Sequence, residues 1–297
     1  MTDDREGRGD VAFSKGHGLG NDYLVVDNAA LPAPLTPGRA RLLCDRHRGV
    51  GSDGVLLADL AHDIALRIIN PDGTEAEKSG NGLRIFGAWL YDTGRVALDQ
   101  WFQVRLIRDT VRMRVEQELA HGALRIRVEI GRASFRGADV GFRPSAGETL
   151  DYELALPQGG TARVNTVSLS NPHCVVFVDR LERDDFVRRA PQLCTHPEFT
   201  AGTNVQFARV AGANAIEVWI WERGAGETLA SGSSASAVCA AAVKRGFMPP
   251  GEIEVRMAGG VARVEVRPDY TVVLVAPAQM VFSGVLEPGL RQAFLDG

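Results

Sequence analysis

Two serines, Ser79 and Ser231, each open a run of glycine and small residues that passes at once into a helical pattern: "SGNGLRIF" and "SGSSASAV". Bare backbone N–H groups at a helix N-terminus bind an anion such as a carboxylate. Two such turns brought to one cleft would grip one carboxylate and set a side chain on each face of one carbon. That geometry suits removing a proton from one face and returning one to the other, which inverts a stereocentre without a cofactor. The plainer account is that serine is a preferred N-cap, its hydroxyl accepting a bond from an orphan N–H. For an isolated Ser-Gly the plain account is better; the repetition is what raises the other.

Polar loops lie near both turns. "ERGAGET" puts Glu222 and Arg223 directly after an apolar strand, and "NPHC" puts Asn171 and His173 directly before one. Arginine clamps a carboxylate with two parallel bonds, and His or Glu acts as a base or orients one. Each has a plainer reading too: Glu222–Arg223 as a solvated pair, His173 as a polar residue at a strand end. "GHGLGN" (16–21) hints at a nucleotide loop, but it sits before a strand and lacks the strand–loop–helix context.

The elements that must carry these residues occur twice. At an offset of 152, Ser79 meets Ser231, Gly80 meets Gly232 and Gly94 meets Gly246. Asn21 meets His173, Asn70 meets Glu222, and "YLVVD" (23–27) meets "VVFVD" (175–179). A turn, a helix length and an upstream strand at one offset indicate two related lobes. Each reads as a strand, a loop, a second strand ("IALRIIN", 64–70, or "AIEVWIW", 215–221), the glycine turn, one helix, then alternating strands. The helix from residue 80 places Leu83, Phe86, Trp89 and Leu90 at helical spacing, with Gly94 as its C′ residue. The second helix is small or apolar nearly all round, which predicts burial on most sides. The fold class expected is α+β: two pseudo-symmetric lobes, each a set of strands wrapped round a central helix, with the active-site cleft between them.

Composition fits a globular protein of one large or two ordinary domains: 297 residues, 45% hydrophobic and 24% charged. A net charge of −4 leaves no basic footprint for nucleic acid or an anionic membrane. No apolar run reaches membrane-span length, and the acidic start "MTDDREGRGD" reads as a tail rather than a signal peptide. Cys44, Cys174, Cys194 and Cys239 are scattered without metal-ligand spacing. They read as small buried hydrophobes in a reducing cytoplasm.

At "FSKGHGLGNDYLVVDN", "RHRGVGSDG", "NPDGTEAEKSGNGLR", "NPHCVV", "GTNVQF" and "WERGAGETLASGSS" the chain resembles the cofactor-independent diaminopimelate epimerases. The resemblance implies lobes spanning 11–131 plus 279–297 and 132–278, the last strand around "MVFSG" (280–284) returning to the first lobe. It implies interconversion of LL- and meso-diaminopimelate for lysine and cell-wall synthesis, no cofactor, a small amino-acid substrate and a homodimer. Asn21, Asn70, Asn171, Asn204, Glu222 and Arg223 fall on family binding positions. Of these, Asn70, Asn171, Asn204 and Arg223 would hold the distal end of the substrate. Gly80-Asn81 and Gly232-Ser233 would hold the reacting carboxylate, and His173 and Glu222 would tune the two bases. Gly54 departs from the family, many of whose members carry glutamine there. The larger departure is that both bases are cysteines in the family, where this chain has Ser79 and Ser231. A serine hydroxyl is far less acidic than a thiol and is a poor base without a partner. Three accounts stay open: a serine variant acting on a similar or different amino acid, an inactivated form, or a silent protein that binds the amino acid.

Overall fold

The computed structural model describes residues 10–297. The acidic start read as a tail lies, up to residue 9, outside the described residues. The chain divides into two units, Met1–Ile126 with Pro277–Gly297, and Arg127–Ala276. No helix among the described residues is long and apolar enough to cross a membrane.

In the first unit, β1 (Ala12–Gly18) and β2 (Asn21–Asp27) form an antiparallel hairpin. Its two-residue turn, Leu19-Gly20, has positive φ at both positions, the twist that a tight hairpin requires. "GHGLGN" is therefore a strand and its turn. A short helix α1 (Pro37–Cys44), capped by Thr36, leads to β3 (Val55–Asp59), which runs parallel to β2. Antiparallel β4 (Ala65–Ile69) and β5 (Glu75–Ala76) follow, then helix α2 (Gly80–Asp92). The unit continues with β6 (Trp101–Arg105), β7 (Thr110–Glu118) and the start of β8 (Ala123–Arg132), a strand that passes into the second unit after Ile126 and on which inward positions alternate: Leu124, Ile126, Val128 and Ile130 are buried.

The second unit repeats the order: β9 (Tyr152–Ala155), β10 (Thr161–Ser168), β11 (Pro172–Phe177), α3 (Arg183–Cys194), β12 (Asn204–Gly212), β13 (Ala215–Glu222), β14 (Gly226–Thr228) and α4 (Gly232–Lys244). Then come β15 (Gly251–Met257), β16 (Gly260–Val266) and β17 (Thr271–Val285). The first half of β17 pairs with β16 and its second half, Gln279–Val285, pairs with β1, so the last strand returns to the first unit. Helix α5 (Pro288–Asp296) packs its buried Phe294 into an apolar cluster with Leu24, Leu43 and Leu57. The second unit has its own cluster round Phe186, Phe207 and Leu193.

The repeat extends to strand register. Leu24 faces Val55, and its equivalent Val176 faces Phe207. Ile69 faces Glu75, and Trp221 faces Glu227. It breaks between these pairs: Val55 faces Ile69, but Phe207 faces Trp219, two residues early. This slip accounts for Gly54. A Cβ there would lie 2.7 Å from the Ile69 carbonyl oxygen and 2.7 Å from the Tyr23 ring. In the second unit the equivalent position holds Gln206, fully buried, and Val175 stands where Tyr23 does. A large ring opposite glycine in one unit replaces a small side chain opposite glutamine in the other.

Each central helix is present as read, but α1, α3 and α5 add three helices to the one expected per lobe. The signals for α3 are in the sequence: Asp184 and Asp185 lie in its first turn, and Asp185 pairs with Arg188 and Arg189.

Because the Ile69 oxygen belongs to a paired strand, it cannot yield to a new side chain. Gly54→Ala is expected to cost about 1–3 kcal/mol of stability. Gly147→Ala, whose nearest neighbour is 3.9 Å away, should stay within about 0.5 kcal/mol. Urea unfolding of the two variants checks this, and equal midpoints would contradict the steric account.

Candidate functional site

Both serines are N-caps in nearly the same conformation. Ser79 has φ −136° and ψ 119°, and Ser231 has φ −144° and ψ 121°. The Ser79 hydroxyl accepts the Gly82 N–H at 3.1 Å, and the Ser231 hydroxyl accepts the Ser234 N–H at 3.4 Å. The two helices have 13 residues each and end at equivalent left-handed glycines, Gly94 and Gly246. The residues after each cap are small because space is tight. A Cβ on Gly82 would lie 2.9 Å from Leu56 Cδ2. Helix α4 is buried from Gly232 to Val243, as its composition implied.

The two turns differ in their surroundings. In the first unit, the Tyr23 hydroxyl lies 3.4 Å from the Ser79 hydroxyl. Asn81 and Asn21, both sequence candidates, are joined: Asn81 Nδ2 donates to Asn21 Oδ1 at 2.8 Å. Asn21 Nδ2 in turn donates to Asp53 Oδ2 at 2.6 Å. Behind them lies Arg84, fully buried. It donates to Asn81 Oδ1, to the Gly80 carbonyl at 3.2 Å and to the Pro277 carbonyl at 2.5 Å. Asn70 stands apart from this chain; its side chain donates to Thr74 Oγ1 at 3.0 Å and closes the β4–β5 turn.

In the second unit, the candidates form one neutral network. His173 is fully buried, and burial lowers its imidazole to about 3, so the ring is neutral. Its Nδ1 accepts from Gln206 Nε2 at 3.1 Å, and its Nε2 donates to Asn171 Oδ1 at 3.0 Å. Both nitrogens are thus engaged, and neither is left to take a proton from Ser231. Asn171 Nδ2 reaches Ser233 Oγ at 3.4 Å, and Ser233 Oγ lies 3.4 Å from Ser231 Oγ. Gln206 Nε2 also donates to Ser234 at 2.9 Å. Asn204 links Pro172 to the Arg223 backbone: its Nδ2 donates to the Pro172 carbonyl and its Oδ1 accepts the Arg223 N–H at 2.9 Å. Glu222 ends β13, facing Gly226 across the hairpin.

The Arg223 guanidinium is exposed, donates to the Ala201 carbonyl at 2.9 Å, and lines a cavity of about 540 Å³ with Arg143, Thr195, His196 and Thr200. The four cysteines are buried, and burial raises each thiol. Sequence reading missed Tyr23, Arg84, Asp53 and Gln206. For Gln206 a signal existed, since the repeat sets it against Gly54; for Arg84 none did, because an arginine on a helix ordinarily reads as solvated.

The buried imidazole has a consequence for stability. The unfolded chain takes up a proton near the ordinary histidine value of about 6.5, whereas folded His173 takes one only near 3. Between these values the unfolded state binds more protons, so stability present above pH about 6.5 is lost as pH falls toward 3. Below pH 6.5 the parent should lose stability faster than His173→Asn, by up to about 1.4 kcal/mol per pH unit. Urea midpoints at successive pH values check this; carboxylates titrate alike in both proteins and cancel. Identical pH dependence would show that the ring is not held neutral.

Comparison with known proteins bears on the family and the fold. The sequence profile of the family described as diaminopimelate epimerase matches residues 13–136 and 165–281. The chain is 40% identical over 263 residues to diaminopimelate epimerase 2 of Nostoc sp., covering 88% of this chain and 90% of that one. It is 37% identical over 277 residues to the diaminopimelate epimerase of Pelotomaculum thermopropionicum, covering 92% and 97%. Among solved structures it shares its fold with a hydroxyproline epimerase from Agrobacterium vitis, with TM-score 0.70, 14% identity and coverage of 96% and 95%. It shares it also with a methylitaconate-delta-isomerase, with TM-score 0.65, 13% identity and coverage of 97% and 97%. With a profile match over most of its length and relatives of this identity spanning nearly all of it, the chain belongs to the diaminopimelate epimerase family.

Proposed function

We propose that this protein is an isomerase of the diaminopimelate epimerase type, inverting one α-carbon of LL-diaminopimelate to the meso form by proton transfer on two faces. It needs no cofactor and works as a cytoplasmic homodimer in lysine biosynthesis. Ser79 and Ser231 hold the two base positions. Gly80-Asn81 and Gly232-Ser233 hold the reacting carboxylate, and Asn21 braces Asn81. Asn70, Asn171, Asn204 and Arg223 hold the distal end. The observation that carries the reading is the pair of equivalent serine-capped, 13-residue helices whose first turns are lined by glycine and small residues, in a chain of this family.

A second reading is favoured by one specific observation. Each serine hydroxyl is engaged as a helix cap, and His173 has no nitrogen to spare. An unassisted hydroxyl is a weak proton carrier. On this reading the protein holds the amino acid without inverting it, and the residues round the serines serve binding alone. Glu222 separates the two readings: in a working serine enzyme it assists a serine, and in a silent binder it does not.

Incubation with LL-diaminopimelate in D₂O, following α-deuterium and stereochemistry, tests this. The isomerase reading expects slow exchange in the parent, a further loss in Glu222→Gln, and strong recovery only in the double variant Ser79→Cys/Ser231→Cys. Positioned acid–base catalysis is worth roughly 10²–10⁴ in rate, so recovery of that order is expected. Tight binding without exchange in the double variant would overturn it in favour of the silent binder. Arg223→Ala should weaken binding of meso-diaminopimelate by about 1.5–3 kcal/mol in calorimetry, since one carboxylate loses a charged hydrogen-bond partner. Equal affinity for lysine, which has a single carboxylate, would remove the assignment of the distal end.

A further inference from the structure

The two half-sites occupy equivalent positions in the repeat but carry different charge. Cations on the elements that carry the Ser79 turn and its amide chain include Lys15, Arg46, Lys78 and Arg84. Lys15 pairs with Asp22 at 2.9 Å, Arg46 with Asp22 and Asp53, and Lys78 with Asp109. Arg84 is the exception. It is fully buried, and among the described residues its hydrogen-bond partners are three neutral oxygens, those of Gly80, Pro277 and Asn81. Gly18 leaves room for it, since a Cβ there would lie 3.2 Å from Nη2. Burial lowers the guanidinium only to about 10, so it is charged at neutral pH. A buried charge without a counter-charge is held at a cost, and here it stands beside the positive end of a helix, where that cost is increased.

In the second unit the position equivalent to Arg84 is Ser236, buried, with a hydroxyl that has no hydrogen-bond partner among the described residues. The position equivalent to Asn21 is His173, buried and neutral. The buried groups behind the α4 turn are therefore neutral, with the charge of Arg223, which acts on His173, carried on an exposed side chain, whereas a full charge is buried behind the α2 turn.

The hydrogen bonds of the first unit also have a fixed direction. Arg84 can only donate, so Asn81 must present Oδ1 to it and Nδ2 to Asn21. Asp53 accepts at the other end, so Asn21 must present Nδ2 to Asp53 and Oδ1 to Asn81. A cation at one end and a carboxylate at the other demand the same orientation of both amides.

We propose that Arg84 is a positioning residue of the first half-site: its buried charge orients the Asn81–Asn21 pair and raises the potential at the α2 turn, so that the group at position 79 is the more acidic of the two proton carriers. The substrate's carboxylate is then drawn first to the α2 turn. The ligand part rests on the reading given under Proposed function; the acidity part does not.

The test titrates thiols without any ligand. Ser79→Cys and Ser231→Cys are made singly, each alone and with Arg84→Met, Arg84→Gln or Arg84→Lys. Thiolate formation is followed by ultraviolet absorbance and by iodoacetamide rate against pH, with the parent as baseline for its four buried thiols. Circular dichroism confirms folding. The thiol of Ser79→Cys is expected to titrate below the free value of about 8.5. Arg84→Met and Arg84→Gln should raise it by about one pH unit or more, and Arg84→Lys should restore most of the shift. The thiol of Ser231→Cys should not respond to any of them. Ser231 is itself more buried than Ser79, which raises its thiol regardless, so the response to Arg84 decides and the difference between the two sites does not. A Ser79→Cys thiol at or above about 8.5 with Arg84 intact would overturn the proposal even if the Arg84 variants failed to fold. An unmoved thiol in a folded Arg84 variant, or an equal shift at both sites, would overturn it too. If the thiols behave as expected but diaminopimelate does not bind, the functional reading fails and the role of Arg84 stands.

Discussion

Helices α2 and α4 are buried on almost every side at the end where they begin, and the first N–H groups of a helix have no carbonyl of their own to bond. Most other features of the site follow from meeting that demand. Serine at each N-cap satisfies the third N–H. Glycine and small residues beyond it keep side chains out of the path of anything approaching the remainder. The neighbouring strands are fixed in register so that their ends bring amides to the same place. A buried helix N-terminus is costly to leave without an anion or a polar partner.

The repeat supplies the same solution twice, and the differences between the copies show what each half can do. The register slip between β3–β4 and β12–β13 changes which side chains fit beneath the turn. In the first unit it admits Tyr23 and excludes any side chain at position 54. In the second it admits Gln206, which holds the neutral His173 on one side and Ser234 on the other. One turn is then bordered by a phenol and a buried guanidinium, the other by amides and hydroxyls. The repeat therefore leaves the two turns unequal, the first better placed to hold negative charge than the second.

Much of this was legible in the sequence because it rests on local rules. The serine caps, the equal helix lengths and the glycine at each C′ position are signals carried by neighbouring residues, and the single offset of 152 tied them together. The return of the last strand was implied only by resemblance to a family. The remainder was hidden because it depends on residues distant in sequence. Arg84 looks like a solvated helix arginine until Gly18 and the Pro277 carbonyl are seen to enclose it. His173 looks like a base until Gln206 and Asn171 occupy both its nitrogens. Helices α1 and α3 fall where each lobe reads as a loop between two strands, and α5 follows the last strand, although α1 carries an N-cap threonine followed by proline.

The serines themselves are explained by the competition between capping and acidity. A hydroxyl is among the best N-caps, worth about 1 kcal/mol over alanine. A thiol is a weaker hydrogen-bond acceptor but ionises several orders of magnitude more readily. At a buried helix N-terminus, serine therefore favours a well-formed helix start, and cysteine favours a charged atom at the same point. Both caps in this chain are made on the stability side of that choice. If proton transfer is retained, the surrounding residues must supply the acidity that the hydroxyl lacks. The first unit has the means, in the charge of Arg84 and the phenol of Tyr23 beside Ser79. In the second, the buried groups of the network that reaches Ser231 are neutral. A difference in acidity between the two caps would follow from that difference in charge and from the deeper burial of Ser231, and not from the cap geometry, which is alike.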